Sequence, residues 1–435
     1  MRSFRSRRHN GVSVARTAGV LLALGVAATA SCSATGGGSG KPATPASTAG
    51  TAGSAVPTVK LDGPVYGKPA DGGDRVFAAT ENDTVYALSP TDGSVMWSRH
   101  LAEPFRPHGC GNIVPLGITG APVYDPASRL VYAVAEDANA HHVLYGLSAT
   151  DGHVVSRVTV DPPVGDQASL QQRSALTLWH GHVFAAFGGL FGDCGTYTGA
   201  VASVDAASGS VNWFEASSDG RGGMWAPGPA AVGTDRLYFS IGNGNADKAS
   251  QPFDGTDSVV ALNENAERVD FFAPASWAAD NASDLDLGSM NPVLAAGHVI
   301  IAGKSGQGYL LDPTRLGGVG AGTAFSACAA FGAAAVQGDV VYLPCADGTR
   351  AFRIGSQATQ LWHAAHSNGQ PVVVGNRIWV TDYDAGVLHA LDPATGQTTR
   401  QVSTGALPHF ATPAVVGDRL FLGTVTGVAV ISATP

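Results

Sequence analysis

Apolar and polar residues alternate in short runs along most of the chain, and the runs come in pairs. The stretches "DRVFAATENDTVYALSPTDGSVMW" (74–97), "RLVYAVAEDANAHHVLYGLSATDGHVV" (129–155) and "RIWVTDYDAGVLHALDPATGQTTR" (377–400) share one plan. Each gives an apolar strand, a polar loop, a second apolar strand and a turn containing glycine. Period-two alternation bounded by Gly, Asp, Asn and Pro predicts β-strands rather than helices. Eight copies align, with second strands ending at Leu88, Leu147, Val204, Leu262, Leu311, Phe352, Leu391 and Ile431. The intervals are 59, 57, 58, 49, 41, 39 and 40 residues, so a constant strand core carries loops of variable length.

A repeat of about forty residues with four short strands is one blade of a β-propeller. With strands lettered A to D from the axis outward, blade seven reads "QPVVVG", "RIWVTD", "GVLHALD" and "QTTRQVS". Blade eight, "ATPAVVGDRLFLGTVTGVAVISATP", stops after its C strand. "VPTVKL" at 56–61, just ahead of the first A strand, is expected to supply the missing D strand. That pairing would close the ring and remove its open edges. The expected fold is all-β, one eight-bladed β-propeller over residues 56–435.

Composition agrees: charged residues are only 14%, while Gly (57) and Pro (25) are abundant, as in a turn-rich β protein. Charge narrows the function. Five arginines fall in residues 1–31, leaving 20 basic and 34 acidic groups in the rest of the chain. Such an acidic body excludes a nucleic-acid partner, which needs a basic footprint.

Those arginines (Arg2, Arg5, Arg7, Arg8 and Arg16) precede "AGVLLALGVAATA", an apolar run too short for a membrane span. Residues 1–31 therefore read as a lipoprotein signal peptide. "TASC", ending at Cys32, resembles the bacterial lipobox, with Thr29 in place of the usual Leu. It implies a lipid on the Cys32 sulfur. Cleavage after Ala30 with a free thiol is the alternative. Residues 32–55 are a flexible Gly/Ser/Thr/Pro linker. The expected location is outside the cell, anchored by the N-terminal lipid to the outer face of the bacterial cell membrane.

Four cysteines remain, enough for two disulfides in an exported protein. Cys328 lies in the crossover before blade six and Cys345 ends that blade's B strand. Those strands are neighbours, so Cys328–Cys345 is expected, which leaves Cys110–Cys194.

Strand direction alternates, so the loops sort by face. A–B and C–D turns, including "DPATG" (392–396), lie on one face. The B–C loops and D–A crossovers lie on the other. These are longer and more diverse: "EDANAHH" (136–142), "FGGLFGDCGTYTG" (187–199), "GNGNADKASQPFDGTDS" (242–258) and "SWAADNASDLDLGSMN" (276–291). Long loops on a rigid scaffold are the usual place for a binding site.

The strings "YALSPTDGSVMW" (86–97), "SVDAASGSVNW" (203–213) and "HALDPATGQ" closely resemble the repeat of the pyrroloquinoline-quinone-like propellers. These are the quinoprotein dehydrogenases and their non-enzymatic relatives. "CGNIVPLGITGAPVYDP" and "LGSMNPV" are similar to a secreted bacterial subgroup. The resemblance covers about residues 60–435 and implies roles on the long-loop face. Trp225 would stack on the quinone, and Lys304 would be the basic residue facing it. Asn243 and Asp193 would bind calcium, and Asp284 or Asp286 would be the catalytic carboxylate. Calcium takes hard oxygens and polarises a carbonyl, while a carboxylate takes the alcohol proton. Arg173, Arg221, Glu136, Asp382 and His409 are expected to line the same polar pocket.

The chain also departs from that pattern. The adjacent Cys–Cys pair of many such enzymes is absent, no Cys-x-x-Cys-His motif exists, and Asp193 is shorter than the family's Glu. Each residue has a plain alternative too: Trp225 as blade packing, Asn243 as turn chemistry, the aspartates as caps, Lys304 as the partner of a nearby acid. Two functions follow. The first is binding or scaffolding at the envelope, with an envelope protein or small molecule as partner. The second is a dehydrogenase using pyrroloquinoline quinone (PQQ) and calcium to oxidise an alcohol or sugar.

Overall fold

The computed structural model describes residues 56–365 and 367–434. The expected signal peptide, Cys32 and the expected linker lie outside the described residues. The period-two segments form eight antiparallel sheets of four or five strands, one per repeat. Blade one runs Ala70–Asp71, Val76–Ala79, Thr84–Leu88 and Val95–His100 as strands A to D. Blade seven runs Val372–Val374, Arg377–Asp382, Val387–Leu391 and Thr398–Ser403.

Blade eight has Ala414–Val416, Arg419–Thr424 and Gly427–Ser432, and takes its D strand from Thr58–Lys60 at the other end of the chain. Thr58 stands opposite Ala429, Val59 opposite Val428 and Lys60 opposite Gly427. The ring is thus closed by the segment that the sequence offers for it.

Burial follows strand order. The B strands Val76–Ala79 and Leu237–Ile241 and the C strand Ser258–Leu262 are buried along their whole length. The D strand Val95–His100 is almost wholly exposed. Inner strands are covered on both faces by neighbouring blades, so the core is a series of inter-blade layers. Phe77, Val85 and Ala87 of blade one pack against Val131, Ala133, Tyr145 and Leu147 of blade two. Each large buried side chain in such a layer contributes about 1.5–3 kcal/mol.

The C–D turns join these layers. Gly396 has φ +72°, and a Cβ there would come 2.5 Å from the Trp362 ring in the D strand of blade six. The Trp362 indole N–H donates to Pro393 O at 2.9 Å. Blade one does the same to blade two: Trp97 covers Gly152 and donates to Ala149 O at 2.9 Å. The repeated turn is therefore a docking point for the preceding blade.

Two loops differ from the sequence reading. "SWAADNASDLDLGSMN" contains the α-helix Trp277–Ser283, whose Trp277 and Ala278 pack with Phe253, Ala246 and Ala273. "EDANAHH" is no long loop. Glu136 ends strand B and His142 opens strand C, leaving a turn between them. Blade four also gains a short fifth strand, Gly318–Val319, parallel to its D strand Arg268–Ala273. Disulfides join Cys328 to Cys345 (Cα–Cα 5.7 Å) and Cys110 to Cys194 (Cα–Cα 6.0 Å). Among the described residues no helix is long and apolar enough to cross a membrane.

Candidate functional site

B strands end and A strands begin on one face of the ring, so residues at those junctions converge. Trp225 precedes the A strand Ala231–Val232, and Asn243 follows the B strand Leu237–Ile241. Asp284 and Asp286 precede Val293–Ala295, and Lys304 follows His298–Ala302. Asp193 lies between His182–Gly189 and Ala200–Asp205, and Arg173 precedes Thr177–Trp179. All seven line one cavity of about 490 Å³, together with Tyr197, His409 and Phe410. The Cys110–Cys194 bridge sits at its rim, beside the lining residues Asn112, Gly192 and Asp193.

Lys304 organises the floor. Its ammonium lies 2.7 Å from Asp284 Oδ1 and 3.2 Å from Asp286 Oδ1. It also stands 5.7 Å from the centre of the Trp225 ring, within cation–π range. The Trp225 indole N–H donates to Asp286 Oδ2 at 3.1 Å, and Asn243 Nδ2 donates to Asp284 Oδ1 at 2.7 Å. Lys304 thus takes its plain alternative, an acid partner, and does so inside the cavity.

The two aspartates differ in setting. Asp284 is exposed at the left-handed C-cap of the helix (φ 54°), whereas Asp286 is buried. Burial raises the Asp286 carboxyl above the usual carboxylate range, opposed by Lys304 and the indole N–H. Burial alone would lower the Lys304 ammonium, but the two carboxylates outweigh it and leave it raised. The local backbone is fixed by Asp257, which accepts from the Leu287 N–H at 2.5 Å. A glycine is needed at 242, where a Cβ would sit 2.9 Å from Asp286 Oδ2.

On the opposite wall Asp193 pairs with Arg221 at 2.9 Å and accepts from the Tyr197 hydroxyl at 2.6 Å. Arg221 lies 5.8 Å over the Tyr197 ring and reaches the cavity only through Asp193. Arg173 lies 5.1 Å over Phe410. Two further expected lining residues are, like Arg221, outside the lining. Glu136 is buried 3.3 Å from His142 Nε2, and Asp382 accepts from the Ala385 N–H in a turn.

Tyr197, Phe410 and Asp257 were not legible as site residues. Tyr197 and Asp257 lie in the long loops 187–199 and 242–258, and only the fold sets them beside Asp193 and Asp286.

The cavity was tested for the two groups that the resemblance implies. A planar quinone fits: Trp225 offers an aromatic face, Lys304 a cation beside it, and Arg173 a second cation. Calcium, which takes six to eight oxygen ligands, fits poorly. Asp193 is engaged by Arg221, and Asp284 and Asp286 by Lys304. Asn243 Oδ1 is the one cavity amide oxygen left buried without a hydrogen-bond partner among the described residues. No group of three His, Cys, Asp or Glu among those residues is close enough to hold a metal ion.

The model of the family described as outer membrane protein assembly factor BamB matches residues 42–315. The chain belongs to this family. The polyvinylalcohol dehydrogenase of Sphingopyxis sp. (strain 113P3) is 26% identical over 442 residues, taking in 82% of this chain. The chain spans 63% of that relative's length.

BamB from Moraxella catarrhalis superposes with a TM-score of 0.59 at 18% identity, over 86% of this chain and 96% of that one. The quinohemoprotein alcohol dehydrogenase from Comamonas testosteroni gives 0.60 at 16% identity, over 87% of this chain and 73% of that one. A europium-containing methanol dehydrogenase gives 0.62 at 14%, over 85% and 84%. At these identities the BamB-family likeness is one of fold. Function must be argued from the cavity.

Proposed function

We propose that the chain is an exported, lipid-anchored propeller of the cell envelope whose long-loop cavity binds a planar quinone of the pyrroloquinoline type. The observation that carries this is the Lys304 ammonium, held by Asp284 and Asp286 and standing 5.7 Å from the Trp225 ring. In this reading Trp225 is the platform, Lys304 and Arg173 match carboxylate and carbonyl oxygens, and Asp286 is the proton acceptor. When bound, such a quinone accepts two electrons from an alcohol. No step is assigned to calcium, because the carboxylates meant for it already face Arg221 and Lys304.

Quenching of tryptophan fluorescence on titration with PQQ tests the reading, with and without calcium. Saturable binding is expected without calcium, weakened about tenfold or more, the equivalent of ~1.4 kcal/mol, by Trp225→Ala and by Lys304→Met. No saturable quenching under either condition would sink it. Dye reduction with simple alcohols then separates a binder from a dehydrogenase. A second reading, scaffolding of an envelope partner, is supported by the family match and the near-complete overlap with the BamB structure. Co-purification of one envelope protein by a Trp225→Ala variant would favour that reading.

A further inference from the structure

Below the long-loop cavity lies a second one, of about 210 Å³. Its lining comes from the stretches leading into the A strands of seven of the eight blades, which places it on the ring axis. The two cavities share Arg173, His409 and Phe410. We propose that this axial cavity binds a small oxyanion, a carboxylate or a phosphate group, held between Lys68 and Arg173.

The charge pattern carries the inference. Lys68, Arg173 and His409 line the cavity, and no Asp or Glu does. That is unusual in a protein of net charge −9. Neither Lys68 nor Arg173 makes a hydrogen bond or ion pair with another described residue. Arg173 has only the Phe410 ring beneath it, at 5.1 Å.

By contrast, Lys304 is matched by two aspartates and Arg221 by one. The carboxyl acting on Arg173 is Glu81, buried outside the cavity lining, where its Oε2 accepts from the Gly117 N–H and the Thr119 hydroxyl. The Lys68 side chain is exposed to solvent, and no carboxylate acts on its ammonium. Two cations in a cavity whose lining carries no carboxylate are stabilised by an anion that enters. Each would donate to its oxygens in charge-assisted hydrogen bonds.

The rest of the lining is largely small apolar residues such as Ala175, Pro227 and Ala333, with a few polar groups among them. The Tyr66 hydroxyl is a donor with no hydrogen-bond partner among the described residues, and Gln370 and Thr412 are already tied to Ala333, Phe410 and each other. The volume suits a carboxylate- or phosphate-sized group, not a bulky ligand. Access from the long-loop side runs past Arg173 and His409. Arg173 lines both cavities, but Lys68 does not line the upper one, so Lys68 variants separate this site from the quinone reading.

The test is titration calorimetry of the purified protein at low ionic strength with inorganic phosphate and with citrate. One-site binding of at least one of them is expected, weakened by added chloride. Phosphate alone would mark a phosphoryl site and citrate alone a carboxylate site. Lys68→Gln should weaken binding about tenfold or more, and Lys68→Arg should restore most of it. Arg173→Gln should act alike, with far-ultraviolet circular dichroism checking its fold. Should that variant misfold, Lys68→Gln decides, since Lys68 makes no contact whose loss would unfold the ring. Binding of neither anion, or binding unchanged in Lys68→Gln, would overturn the proposal.

Discussion

Asp286 is 3% exposed, and both its oxygens face positive or N–H partners from other blade segments. That setting makes it a residue of position as well as charge. Its type and rough place were legible from the resemblance, as were Trp225, Lys304, Asn243 and Asp193. Their pairings were not, because Lys304 meets Asp284 and Asp286 only once two loops close over one another. Lys68 was missed for a related reason. "YGKP" precedes the first A strand, outside any repeated string, and carries no local signal.

The same scale holds a pH prediction. Glu81 and Asp83 are fully buried, and burial pushes their carboxyls up to about 7 and about 9. Burial opposes the His142 ammonium form, but Glu136 outweighs it and holds His142 at about 9. All three bind their proton more tightly folded than unfolded. Their contribution is therefore full below the unfolded values of 3.8, 4.5 and 6.5 and is lost as pH rises through about 7 to 9. Asp92 and Asp151 shift the other way, to about 2, and matter only in strong acid. The melting temperature should fall between about pH 5 and pH 8, and Glu81→Gln should flatten the fall. A melting temperature that rises across that window would contradict these assignments.

Strands and turns were the most legible level. Eight C strands end within a few residues of the positions that the alternation marks. The helix Trp277–Ser283 escaped because its buried face rests on Ala273, Ala246 and Phe253, which are distant partners and not a periodic stripe. At this scale the turn glycines matter most. Gly396→Ala must hold φ +72° with a Cβ and displace Trp362, at a cost of about 1–3 kcal/mol. Thermal unfolding should show that loss while PQQ and phosphate affinities stay unchanged, because the turn lies on the face away from both cavities. Lost binding at unchanged stability would reverse the assignment of faces.

For the whole molecule, ring closure rests on the short pairing of Thr58–Lys60 with Gly427–Ser432. The sequence showed it as a simple deficit, a last blade one strand short. Deleting residues 56–61 should leave the Gly427–Ser432 edge bare, lower the melting temperature and promote association through that edge. Size-exclusion chromatography would reveal it. A deletion variant that stays monomeric at unchanged melting temperature would show that closure contributes little.

The pairing of Thr58 with Ala429 also fixes an order of events. The strand made first is the last to be seated, because its partner lies about 370 residues downstream. Bringing such distant ends together is slow compared with forming each local blade. During synthesis, seven blades can assemble while the eighth waits, and Thr58–Lys60 must stay unpaired until the final strand arrives. Any truncation near the C-terminus therefore removes the seat of a strand from the opposite end of the chain.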